Sequence, residues 1–173
     1  MRRLALLVPA ALLFAVPVAA QSAGTAPLSI GGDIGMFAPF EGGSSSSFTA
    51  RVTADLYLWG PAGLRFAAGF ANPELESEDV VDERADVVYA SAGLIREVRD
   101  AALRPYGHVG IGIYHLTGER NGTQLGLSAG GGLQFPVGTN GLLLTPELTA
   151  HLISGDAPRF SLALTVGLHT RPR

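Results

Sequence analysis

Cysteine is absent from the 173-residue chain, so neither a disulfide nor a thiolate metal site can contribute to its fold. Lysine is absent as well, and all 12 cations are arginines, against 15 Asp and Glu. An acidic chain without a basic run offers no footprint for a nucleic-acid backbone, and no such partner is expected. Tryptophan occurs once, at Trp59. Past residue 20 no apolar run approaches the roughly 18 residues that mark a membrane helix, so a helical span is excluded. Yet the chain is 47% hydrophobic and holds 23 glycines. Its apolar character must therefore be spread thinly along many short elements.

The N-terminus has its own logic. Arg2 and Arg3 precede the apolar stretch Leu4–Val16, Pro17 interrupts it, and Val18-Ala19-Ala20 supplies small residues. That is the layout of a cleaved secretory signal, and residues 1–20 are expected to be removed on export. No Cys follows the apolar stretch, which excludes lipoprotein anchoring. The remaining 21–173 suits one domain.

Within it the apolar residues repeat with a period of two. Phe48, Ala50, Val52, Ala54, Leu56 and Leu58 alternate with Thr49, Arg51, Thr53, Asp55, Tyr57 and Trp59. A helix would scatter both sets over every face, whereas a strand separates them. The same pattern returns near Leu28–Phe37, Leu64–Ala71, Ala85–Val98, Arg104–Leu116, Thr123–Phe135, Leu142–Leu152 and Phe160–His169. The Ala85–Val98 stretch is the least regular. Eight strands of this kind predict an all-β, eight-stranded antiparallel up-and-down barrel, most strands reaching the roughly 9–11 residues of a tilted membrane strand.

The connections alternate in character. Gly60-Pro61-Ala62, Asp100-Ala101-Ala102 and Gly138–Gly141 are short and turn-like. Glu41–Ser47, Asn72–Arg84, Thr117–Gly122 and Ser154–Arg159 are longer and polar. Outer-membrane barrels pair short periplasmic turns with longer extracellular loops, which puts the N-terminus in the periplasm. The acidic cluster Glu74, Glu76, Glu78, Asp79, Asp82 and Glu83 is then an extracellular loop, read first as a solvated face and second as a divalent-cation bridge to lipopolysaccharide.

Alternation alone fits a soluble lipocalin-like barrel equally well; the charges separate the two. A soluble exterior carries about 25–35% charged residues of both signs. Here the mid-strand charges are few, namely Asp33, Arg51, Asp55, Arg65 and Glu147, and all share the polar face with Gly, Ser, Thr and Gln. Such a face suits the side-chain-filled interior of a narrow barrel, and the charge-free face suits lipid. Trp59 and Phe135 are the expected turn-side girdle, and Phe40, Phe48, Phe70 and Phe160 the loop-side one. Together these features resemble the small outer-membrane β-barrel domains of the OmpA/OmpX type, over residues 28–169. The resemblance implies a transmembrane barrel delivered by the outer-membrane insertion machinery, in contact with outer-membrane lipids and lipopolysaccharide, and monomeric. One departure stands out. Where such domains end the last strand on an aromatic residue, this chain continues Leu168-His169-Thr170-Arg171-Pro172-Arg173.

The expected interior residues are Asp33, Arg51, Asp55, Arg65, Glu147, His108, His151 and Tyr106, with Tyr89 and Tyr114 bonding among them. Charges confined in a narrow interior must pair to offset their desolvation, so a structural network is favoured over a gate. Two His on separate strands, without a short-range ligand motif, give no metal site. The glycine stretches 107–112 and 130–132 are followed by no helix, so they form no phosphate loop, and no cofactor is expected. A catalytic alternative also has to be weighed. The chain resembles lipid-A deacylase barrels in size, and these use a His and a Ser two residues apart with a Glu as orienter. His115-Leu116-Thr117 with Glu119 is the nearest arrangement; Thr stands where those enzymes have Ser. Nothing maps onto the lipid-A palmitoyltransferase barrels. A non-enzymatic surface barrel with a plugged lumen is the expectation.

Overall fold

The computed structural model describes residues 28–40, 45–72, 74–77, 80–84, 86–98, 103–117, 122–139, 141–155 and 160–170. They form β1 (Leu28–Pro39), β2 (Ser47–Trp59), β3 (Ala62–Ala71), β4 (Glu74–Ser77), β5 (Val80–Arg84), β6 (Asp86–Glu97), β7 (Arg104–Thr117), β8 (Gly122–Val137), β9 (Leu142–Ile153) and β10 (Phe160–Thr170). Eight of these close into one antiparallel barrel in which sequence neighbours are space neighbours, and β10 pairs back onto β1. The closing seam runs in register from Ile30 opposite Thr170 to Pro39 opposite Ser161. All eight barrel strands fall on the stretches that alternation marks.

The acidic segment after β3 is a hairpin of its own, with β4 and β5 pairing Glu74 opposite Arg84 and Leu75 opposite Glu83. Glu76 lies in β4 and Asp82 in β5. The pair Val80-Val81 has the β-branched side chains that favour a strand, and β3 and β6 already deliver the chain antiparallel. Glu78 and Asp79 lie outside the described residues, as does the signal segment 1–20.

Alternation sorts the side chains by face. Outward rows such as Ile30, Ile34 and Met36 on β1 or Leu164, Val166 and Leu168 on β10 are exposed, while their neighbours in sequence are buried. Among the described barrel residues the outward-facing charges are Asp86 and Arg96, at the two ends of β6. Aromatic pairs sit at the loop end, Phe40 with Phe160 (5.4 Å between centroids) and Phe48 with Phe70 (6.0 Å), and Trp59 is exposed at the turn end. The tight turns use Gly60 (φ 63°) and Gly138 (φ 66°), where only glycine adopts positive φ without strain.

The interior is layered. Near the loop end Val87, Tyr89, Tyr114, Leu116 and Ile153 form one apolar cluster and Phe37, Ala71 and Ala163 another. Near the turn end Tyr57, Ile95 and Tyr106 form a third. The charged residues lie between them. This explains why β6 alternates poorly: Val87 and Ile95 are apolar yet point inward, because both layers are lids. The outward face is a lipid face by the same charge rule. Leu164→Arg, at the middle of β10, is predicted to destabilise the barrel by about 2–4 kcal/mol in urea titrations on lipid vesicles. A loss below about 1 kcal/mol, the value near the interface, would place this row outside the hydrocarbon.

Candidate functional site

The residues with chemistry in this chain converge in the middle layer. Asp33 on β1 pairs in register with Arg51 on β2, and Asp55 on β2 with Arg65 on β3. Each acid–base pair is thus set by strand register, with both members on the inward face. Arg65 grips Asp55 with a fork, Nε to Oδ1 at 2.7 Å and Nη2 to Oδ2 at 2.9 Å. Arg51 Nε donates to Asp33 Oδ2 at 3.1 Å. The remaining guanidinium arms cross the lumen to one carboxylate. Arg51 Nη1 reaches Glu147 Oε1 and Arg65 Nη1 reaches Glu147 Oε2, both at 2.6 Å.

Glu147 is saturated. Oε1 also accepts from Thr149 at 2.6 Å and lies 3.1 Å from His108 Nε2, while Oε2 accepts the Tyr106 hydroxyl at 2.5 Å. The Arg65 guanidinium sits over the Tyr106 ring, 5.0 Å from its centroid. Arg51 Nη2 donates to Thr165 at 3.3 Å, and His169 Nε2 lies 3.0 Å from Asp33 Oδ1. The side chains of the four bridges between arginines and carboxylates are at most 5% exposed. The space left among Arg51, Arg65, Tyr89, His108, Thr149 and His151 amounts to about 10 Å³, room for about one water molecule.

Seven of the eight interior residues expected from sequence therefore meet. His151 is the exception. It is buried in the loop-side aromatic layer, with Tyr114 Oη 2.9 Å from its Nδ1 and the Phe37, Tyr89 and Tyr114 rings at 5.4–5.8 Å. Tyr89 stacks on Tyr114 at 5.6 Å. The structure adds three network members that sequence reasoning does not single out: Thr149, Thr165 and His169. All lie on the polar face, but only register shows them within reach of a charge. Glu97 is a further addition, buried at the turn end.

Glycine makes room for these side chains. Large or charged inward residues repeatedly stand directly opposite a glycine of the next strand, among them Asp33 and Gly167, His169 and Gly31, Tyr89 and Gly69, Tyr106 and Gly132, and His108 and Gly130. A Cβ at any of those glycines would run into the opposing side chain. Gly107 faces outward, and a Cβ there would meet only Gly130 O, at 3.7 Å.

On the outer surface His115 Nδ1 lies 3.0 Å from Thr123 Oγ1, its register partner on β8. His115 and Thr117 share the outward face of β7, but His115 bonds Thr123 and not Thr117. Leu116 points inward, and the Thr117 hydroxyl donates to Asp86 O at 3.3 Å; Glu119 lies outside the described residues. Among the described residues nothing bonds the Nε2 of His115, so none of them serves as the orienting third group of a nucleophile–base system. Among the described residues no three potential ligands are grouped to hold a metal.

In chemical terms the network is a lock. Its arginines are permanent cations, and both oxygens of its central carboxylate are engaged, leaving no lone pair free to accept a substrate proton. Glu147→Ala leaves one buried arm of each of two guanidiniums without its carboxylate, and a loss of about 3–5 kcal/mol is expected from vesicle-based urea unfolding. Gly132→Ala is predicted to cost about 1–3 kcal/mol by overpacking against the Pro146 carbonyl and the Tyr106 ring, with Gly107→Ala within about 0.5 kcal/mol of the unchanged protein. Equal effects of the two glycine substitutions would contradict the assigned faces.

Solved structures of similar architecture include Neisserial surface protein A (18% identity, TM-score 0.60, covering 83% of this chain and 96% of that one). A major outer membrane protein from Thermus thermophilus matches at 16% identity and TM-score 0.62, over 86% of this chain and 100% of its own. The outer membrane enzyme PagL matches at 15% identity and TM-score 0.50, over 84% and 99%. At these identities the likeness is one of fold. No curated protein sequence matches the chain. The family model described as outer membrane protein beta-barrel domain matches residues 6–145. With its closed eight-stranded barrel, the chain belongs to that family and is a bacterial outer-membrane protein.

Proposed function

We infer that this protein is a non-enzymatic barrel that holds its place in the outer membrane with a sealed polar lumen and presents its loop end for envelope stability or surface contact. The observation that carries this reading is the seal itself. Glu147 binds groups from four strands at once, apolar lids cover the charges from both ends, and the residual space is about 10 Å³. A hydrated ion would have to break four buried bridges to pass. Single-channel recording in planar bilayers is expected to give no steady openings, and large stable conductance would overturn the reading.

A second reading, a lipid-A-modifying enzyme, draws on the His115–Thr123 pair at the outer surface and on the fold shared with PagL. That no described residue orients His115 weighs against it. Mass spectrometry of lipid A from cells with and without the protein is expected to show the same acyl pattern. An acyl change abolished by His115→Ala would establish the enzyme instead.

A further inference from the structure

One pair of neighbouring strands differs from every other pair in the barrel wall. The other neighbours follow one another along the chain, and the segment between them keeps the two members close. β1 and β10 are joined by no such segment, because they lie at opposite ends of the barrel sequence. An opened hairpin re-forms at little entropic cost, whereas strands separated by most of the chain must be brought back together. Opening of the wall is therefore least resisted at this seam, and side chains have to supply the tie that a turn supplies elsewhere.

The inward face of the seam carries such ties. Three successive rungs each set one side chain against a glycine, and the sides alternate. His169 of β10 stands opposite Gly31 of β1, Asp33 of β1 opposite Gly167 of β10, and Thr165 of β10 opposite Gly35 of β1. The His169 ring fills the space that a Cβ on Gly31 would need, and the Asp33 carboxylate fills that of a Cβ on Gly167. Each reaching over the other's strand, the two side chains meet, with His169 Nε2 3.0 Å from Asp33 Oδ1. Arg51 Nε donates to Asp33 Oδ2 at 3.1 Å, and the same guanidinium passes over β1 to donate Nη2 to Thr165 at 3.3 Å. His169, Asp33, Arg51 and Thr165 are all at most 5% exposed, so water does not compete for either tie. The His169–Asp33 tie lies at the turn end of the seam, close to the chain ends, where a strand pair frays first.

We propose that His169, Asp33 and Thr165 form an interlocking clasp that holds the last strand to the first, and that the barrel opens at this seam when the clasp is undone. The glycines belong to the device, since a side chain at Gly31 or Gly167 would displace the group that lies over it. Its members are also members of the charged layer. Until β10 docks, Asp33 lacks His169 and Arg51 lacks Thr165, and β10 cannot leave without stripping both. Closing the wall and completing the lumenal lock are thus one event. The clasp depends neither on what the loop end contacts nor on whether the outer surface is catalytic.

The test is hydrogen–deuterium exchange, read by mass spectrometry, on the full chain folded in phosphatidylcholine vesicles. His169→Ala is expected to speed exchange of the β1 and β10 amides about tenfold, with those of β6 and β7 on the opposite wall changing less than about twofold. Thr165→Val keeps the side-chain shape without the hydroxyl, and is expected to give a smaller, several-fold rise in the same two strands. It decides the matter if His169→Ala does not fold. A covalent tie supplies the rescue. Ile30 and Thr170 stand opposite in register, so their Cα atoms lie about 4.5–5.5 Å apart, within disulfide reach, and no native cysteine competes. Ile30→Cys with Thr170→Cys, once oxidised, is expected to return exchange in either variant to within about twofold of the unchanged protein. A rise spread equally over all strands would make these residues general packing groups and overturn the clasp. No rise at the seam in either variant, or a rise that persists under the disulfide, would overturn it as well.

Discussion

A single carboxylate organises this interior. Glu147, on β9, faces β2 and β3 across the lumen and takes one arm from each of their arginines. It takes Tyr106 and His108 from β7 as well, and Arg51 extends the connection to Asp33 on β1 and Thr165 on β10. Six of the eight barrel strands are thereby joined through hydrogen bonds that ignore the backbone ladder. Backbone pairing links each strand only to its two neighbours. The lumenal network links opposite walls, and so fixes the diameter as well as the circumference.

The cost of that arrangement explains its surroundings. Removing two arginines and three acids from water is unfavourable unless geometry and hydrogen bonding are nearly complete. The fork on Asp55, the two arms on Glu147 and the threonine hydroxyls supply that completeness. The aromatic and aliphatic lids then keep water from competing for the same groups. The layers depend on one another: without the bridges the lids would cover stranded charges, and without the lids the bridges would be screened. The outer wall needs none of this, because closure pairs neighbouring strands all round the barrel and lipid asks only for apolar surface.

Much of this is legible in the sequence, for a definite reason. Period-two alternation is a local property, so the strands, the faces and the inward placement of Asp33, Arg51, Asp55, Arg65 and Glu147 can be read without knowing which strand touches which. Partnership cannot be read that way. Thr149, Thr165 and His169 look like ordinary polar-face residues until register sets them beside a charge, and His151 looks like a network member until the aromatic layer claims it. Glu97 gives no signal because it ends an irregular strand. The acidic segment reads as a plain loop because its charge outweighs the Val80-Val81 signal for a hairpin. The clasp has no sequence signal of any kind, since His169 and Gly31 become neighbours only through closure.

The glycines opposite the large interior residues carry one more implication, for anyone who would hollow this barrel out. Tyr106 with Gly132 and His108 with Gly130 lie on successive inward rungs of the β7–β8 ladder, and Gly110 continues the row beyond them. In an ordinary wall, trimming a large side chain leaves its neighbours to slump inward. Here the neighbour is bare backbone on a hydrogen-bonded ladder, with no side chain to fill the gap. Shortening those two residues would clear a groove along one wall instead of scattered voids. The same pairing that packs the lumen marks the line along which it could be opened.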